Sequence, residues 1–284
     1  MKKRIAAALA ALMAFSLAAC GDSGNSSAGL AASSKAVEVS EASTQNEIVS
    51  SQENESIAIK DDSSENTEEM SSDVKPDVKE SRVVLPVKNI QQNPELPNGS
   101  EITSAAIVLN YYGIKCDKTD LLDYLPMSKR PADSTALWVN PNDYFCGDPR
   151  ETVNSYGCYS PVLKKTIDDY LAANKISDYT VEQNMLKNNF DDFYTEIDNG
   201  CPVIIWGTVG MKDRGKDAIW SAEGNFTIIF PENEQCMVLI GYDKDNSTLI
   251  FSDPLDERGT VEYPVNAVKF AFNALSYQSI IIRK

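Results

Sequence analysis

Asn233-Glu234-Gln235-Cys236-Met237-Val238-Leu239-Ile240-Gly241-Tyr242-Asp243 is the stretch on which the reading of this 284-residue chain turns. The unbroken apolar run Cys236 to Ile240 is short and ends in Gly-Tyr-Asp. Such a run predicts a strand buried on both faces that leads into a turn. Ser247 to Ser252 predicts the return strand of a hairpin across Asp243-Lys244-Asp245-Asn246. Asp243, Asp245 and Ser247 imitate the start of a calcium loop, but Thr248 stands where that loop needs glycine and Pro254 where it needs glutamate. The hairpin is the better reading.

Outward from this hairpin, two more apolar runs predict strands, Pro202 to Gly207 and Phe226 to Phe230. A helix at about Val265 to Leu275 and a last strand, Gln278 to Ile282, follow. The elements before residue 200 are mostly helical. Val83 to Val87 predicts a short edge strand. Asn98-x-x-Glu101 has the form of a capping box ahead of a helix whose apolar positions are Ala105, Ala106, Leu109 and Tyr112, with Gly113 as its stop. Short helices are expected at Lys118 to Tyr124 and Asp191 to Asn199, a longer one from Ser160-Pro161, and a strand at Tyr179 to Val181. Trp138 to Gly157 reads as a long surface loop. Helices first and antiparallel strands later make an α+β domain.

That domain begins near residue 82. Lys2, Lys3 and Arg4 precede the small and apolar stretch Ile5 to Leu17, which is too short to span a bilayer and sits where a secretory signal sits. Its end, Leu17-Ala18-Ala19-Cys20, matches a bacterial lipobox. Residues 1–19 are therefore read as a lipoprotein signal peptide and Cys20 as the lipidated residue, which anchors the protein in the bacterial cell membrane facing outward. Residues 20–81 are rich in Ser, Glu, Asp, Ala and Asn, with isolated apolar residues and no aromatic. They read as a disordered acidic tether, since such a composition cannot offset its ordering entropy. Residues 82–284 form the folded domain.

The formal charge of the chain is −16; without the three basic residues of the leader and the 14 acids and 4 bases of the tether, the domain is left at −9. This excludes nucleic acid as a partner. There is no histidine and no CxxC pair, so no metal site and no cofactor is expected. Besides Cys20 there are five cysteines, an odd number. Cys146 and Cys158 flank a loop and are a possible disulfide in an oxidising compartment. Cys201 and Cys236 sit in apolar runs, where a thiol behaves as a small hydrophobe.

The loop Gln92-Asn93-Pro94-Glu95-Leu96-Pro97-Asn98-Gly99-Ser100-Glu101, the turn Gly241-Tyr242-Asp243, the segment Phe251-Ser252-Asp253-Pro254 and the loop Phe145-Cys146-Gly147-Asp148-Pro149 together resemble papain-like cysteine peptidases of the double-glycine, bacteriocin-processing type, cysteine peptidase family thirty-nine. The resemblance covers roughly residues 83–284. It implies a papain-like fold, with a helical lobe, a sheet lobe and a cleft between them. It puts Ser100 at the nucleophile position, Gln235 at the general-base position, Asp253 at the orienting position and Gln92 at the oxyanion position. Peptidase chemistry of this kind needs a thiolate at a helix N-terminus and an imidazole beside it. Serine and glutamine replace both. The resemblance therefore implies a catalytically degenerate domain at the cell surface, binding a peptide, a peptidoglycan stem or a surface protein in the old substrate cleft. One alternative is a hydrolase in which Ser100 works with a carboxylate base, Asp253 being the carboxylate at hand. Another is a scaffold role with no ligand in the cleft. Cys236 is no substitute nucleophile, because on a strand it faces away from Gln235.

Overall fold

The computed structural model describes residues 80–183 and 190–284. The expected signal peptide, Cys20 and the tether as far as residue 79 lie outside them. The domain is α+β, and its centre is a mixed-length antiparallel sheet. Strand β1 is Arg82–Val84, β4 is Thr180–Gln183, β5 is Val203–Thr208, β8 is Glu234–Asp243, β9 is Thr248–Ser252, β10 is Thr260–Pro264 and β11 is Ser279–Arg283. They lie in the order β10-β9-β8-β5-β11-β4, and β1 adds to β8. The remaining strands are two small pairs, β2 (Met127–Ser128) with β3 (Phe145–Cys146) and β6 (Asp217–Ala222) with β7 (Phe226–Pro231).

The decisive stretch is a strand buried on both faces. Cys236, Val238 and Ile240 point into one core, and Met237 and Leu239 into the other. This is the two-residue period of a pleated strand with both faces covered. Helices α1 (Ser100–Tyr111) and α2 (Ser160–Ala173) fill the first side. Helices α3 (Asp192–Asp198) and α4 (Val265–Ala274) fill the second. The pairing with β9 slips by one residue between Leu239 and Gly241, and Tyr242 then joins the second core. Gly241 is obligatory for a local reason. A Cβ there would stand 2.4 Å from the Val83 carbonyl oxygen of β1.

Several expectations need correction. The capping box does not form, since α1 starts after Gly99 with no side-chain cap. Asn98 instead donates to the Glu151 carbonyl at 2.6 Å, and Glu101 turns into the interior. The segment from Lys118 is a 3-10 turn, Asp120–Tyr124, rather than an α-helix. The edge strand is shorter than Val83 to Val87 because Pro86 interrupts it. Strands β6 and β10 were not expected, and the presumed loop Trp138 to Gly157 contains β3. Cys146 and Cys158 form no bridge; both are free and buried. Cys146 pairs with Gly157 across a β-bridge, so the adjacent Cys158 points to the opposite side. Cys146 packs among Trp138, Trp220 and Phe230, and Cys158 packs in the α1–α2 core.

Candidate functional site

Three segments bring the expected residues together. The first is the loop before α1. Its shape is held by Lys118, whose buried ammonium donates to the carbonyls of Gln91 (2.5 Å) and Gln92 (2.8 Å) and pairs with Glu95 at 2.7 Å. The second is the start of β8. The third is the turn after β9, where Asn89 donates to Ser252 Oγ, the Asp253 carbonyl and the Gly259 carbonyl. The backbone N–H of Gln92 donates to the Pro254 carbonyl at 2.8 Å, which joins the first segment to the third.

Ser100 is the first residue of α1, where the N–H groups of the helix end face outward. Its Oγ accepts the Cys236 backbone N–H at 3.1 Å and donates to Glu101 Oε2 at 3.2 Å. Gln235 is next to Cys236, and its Nε2 donates to Asp253 Oδ1 at 3.1 Å and to the Cys236 carbonyl at 3.3 Å. Asp253 Oδ1 also accepts the Leu255 N–H at 2.9 Å. Burial raises the Asp253 carboxyl, and the N–H groups of Leu255 and Asp256 oppose that rise. Gln92 Nε2 donates to the Pro97 carbonyl at 2.7 Å, while its Oε1 is buried without a partner. Gln235 is bonded to Asp253 by its side chain, Ser100 to the Cys236 N–H next to Gln235, and the Gln92 N–H to the Pro254 carbonyl next to Asp253, and all four residues are nearly closed to solvent. The Ser100–Gln235 link runs through the backbone of Cys236, with no side-chain hydrogen bond between the two among the described residues.

Chemically this set can hold and orient but has little to react with. The glutamine amide cannot accept a proton from a nucleophile at neutral pH. One of the two N–H groups of the Gln92 side-chain amide is bonded to the Pro97 carbonyl. The Cys236 thiol is buried on the other side of β8, and burial pushes it well up, so it is no thiolate.

Two acids missed in the sequence lie beside Ser100. Glu101 is fully buried, and its Oε1 accepts the Cys158 N–H at 2.7 Å. Burial outweighs that bond and raises the carboxyl to about 7. Glu234, the first residue of β8, has its carboxyl driven well up by burial and by Glu101. The two meet around Gly157. A Cβ on that residue would lie 2.5 Å from Glu101 Oε1 and 3.0 Å from Glu234 Oε2, and its φ is +146°. The sequence offered a weak signal for this pair, in the acids directly following Ser100 and directly preceding Gln235.

The model of the Peptidase_C39 like family matches residues 84–280. The uncharacterized protein YvpB of Bacillus subtilis (strain 168) is 27% identical over 199 residues, which are 69% of this chain and 73% of that protein. The crystal structure of a protein described as a C39-like peptidase from Bacillus anthracis is similar with a TM-score of 0.62 at 28% identity, covering 72% of this chain and 98% of that one. Among the described residues no helix is long and apolar enough to cross a membrane.

Proposed function

The chain belongs to the Peptidase_C39-like family, and from that premise we propose that it is a surface-anchored, catalytically degenerate member that binds a peptide, a peptidoglycan stem or a surface protein in the cleft where its relatives' fold would place a substrate. One observation carries this reading. At the base position an amide, Gln235 Nε2, donates to Asp253, while the Ser100 hydroxyl takes a backbone N–H from the next residue. The amide at the base position accepts no proton from a serine nucleophile. Anchoring rests on the lipobox ending at Cys20; loss of fatty-acid incorporation in Cys20→Ser is the expected check. For the degenerate site, an alkyl fluorophosphonate probe is expected to leave Ser100 unlabelled.

A specific contact supports a second reading. The Ser100 hydroxyl donates to Glu101, a carboxyl raised to about 7 by burial and therefore near the ideal for a general base. In that reading the domain is a serine hydrolase with Glu101, rather than Asp253, as base. It requires a nucleophile that is nearly closed to solvent to open. Labelling of Ser100 by the probe, abolished in both Ser100→Ala and Glu101→Gln, selects it over the binding reading.

A further inference from the structure

Beside the Ser100 site lies a pocket of about 430 Å³ whose walls include Asn98, Val153, Tyr156, Pro231, Glu232 and Glu234. It adjoins the site on two sides, since Asn98 is two residues before Ser100 and Glu234 directly precedes Gln235. Its charged residues are two acids, Glu232 and Glu234. Neither Glu232 nor Glu234 belongs to any ion pair of the described residues. Of the nearby cations, Arg150 pairs with Asp148, Lys129 with Asp148 and Glu151, and Arg214 with Asp217; Arg130 donates to the Tyr156 hydroxyl, and Lys216, whose carbonyl accepts the Glu232 N–H, forms no ion pair with either acid among the described residues. Glu234 Oε1 is withdrawn from solvent and has no hydrogen-bond partner. A carboxyl oxygen left without a partner is costly, and turning the side chain toward a ligand's donor relieves that cost.

Apolar surface is interspersed with the polar Thr152, Asn154 and Ser155. Val153 is 70% exposed although it sits in a concave surface, and Tyr156 and Pro231 flank it. An alkyl stem ending in a cation meets both demands, its methylenes on the apolar surface and its head on the acids. We propose that this pocket receives a lysine-type side chain, an alkylammonium, of the peptide bound in the cleft. The inference rests on the peptide-binding reading above and adds the residue class that the cleft selects.

The groups facing Glu234 among the described residues are Glu101 from α1, the Cys158 and Cys236 thiols and the Tyr159 phenol, which also feels the Arg214 guanidinium. Burial and the neighbouring Glu101 raise the Glu234 carboxyl, which favours its protonated form. Entry of an ammonium makes the carboxylate the better partner, and the proton leaves to solvent. Binding of a lysine side chain is then coupled to proton release, and a neutral side chain of equal length releases none.

The experiment is calorimetric titration of the full chain at pH 7 with acetyl-Gly-Lys-Gly-amide and its norleucine and glutamate counterparts, in two buffers of different ionisation enthalpy. The lysine peptide is expected to bind at least about 10-fold tighter than the norleucine peptide and to release protons. In Glu234→Gln, which imitates the protonated acid and so keeps the fold, the preference and the release are both expected to vanish. Glu232→Gln is expected to reduce the preference in part. Equal binding of the lysine and norleucine peptides overturns this inference alone. So does a lysine preference that survives in Glu234→Gln. Absence of binding by every peptide overturns it together with the peptide-binding reading.

Discussion

Replacing Glu101 by glutamine reports directly on how the acid beside Ser100 is held. The side chain is fully buried, and its favourable contacts are the Cys158 N–H and thiol, its own N–H and the Ser100 hydroxyl. Among the described residues no cation pairs with it, and Glu234 adds a second acid around Gly157. The carboxyl rises from 4.5 to about 7, which corresponds to about 3 kcal/mol at about 1.4 kcal/mol per tenfold change. Because the folded value lies above the unfolded one, the fold favours the protonated acid. The stability this contributes is complete below about pH 4.5 and is lost as pH rises through about 7. The wild type is therefore expected to lose about 3 kcal/mol between pH 4 and pH 8 from this residue. Glutamine keeps the shape and a carbonyl for the Cys158 N–H and does not ionise. Urea unfolding of wild type and Glu101→Gln, followed by tryptophan fluorescence at pH 4.5, 6, 7 and 8, gives the difference in which other titrating groups cancel. The variant is expected to be nearly flat where the wild type falls, and the more stable of the two at pH 8. Equal slopes, or a wild type that gains on the variant as pH rises, would refute the buried-acid account.

Other outcomes follow from the same geometry. Gly241→Ala is expected to expel β1 from β8, because the added Cβ meets the Val83 carbonyl at 2.4 Å; a loss of about 1–3 kcal/mol in denaturant and new protease cleavage near Arg82 are the readouts. Lys118→Met strips its donor from two carbonyls under the 91–95 loop, with an expected cost of about 2 kcal/mol and faster amide exchange at Gln92 and Leu96. Ser100→Cys and Gln235→His are each expected to stay without peptidase activity alone, since a thiol and an imidazole act as a unit. The double variant is expected to show alkylation of residue 100 by iodoacetamide at a lower pH than Ser100→Cys, and an unchanged profile speaks against a Gln235 side chain able to reach position 100.

Much of this arrangement was legible because it depends on short-range pattern. The strand at Gln235 to Tyr242 announced itself through its unbroken apolar run, and the structure covers both its faces. What escaped was decided by contacts distant in sequence. Asn98-x-x-Glu101 has the local form of a cap, yet the Cys158 N–H, 57 residues on, claims the glutamate. Asp217 to Ala222 alternates exposed and buried residues as a strand should, but Ala218 and Ala222 are too small to make that alternation stand out. Cys146 and Cys158 flank a loop, but the Cys146–Gly157 bridge sets which way each thiol points, and composition carries no register. The same limit hid the acidic pocket, whose walls come from the helix entry, the loop before α2 and the turn into β8.

The central claim is that the Ser100–Gln235–Asp253 arrangement retains the architecture of a peptidase site without its reaction. Incubation of the full chain with a peptide library at pH 7, followed by mass spectrometry of the products beside a Ser100→Ala control, tests it most directly. The account predicts identical spectra for the two proteins, with no new termini. Cleavage by the wild type that disappears in Ser100→Ala would contradict it.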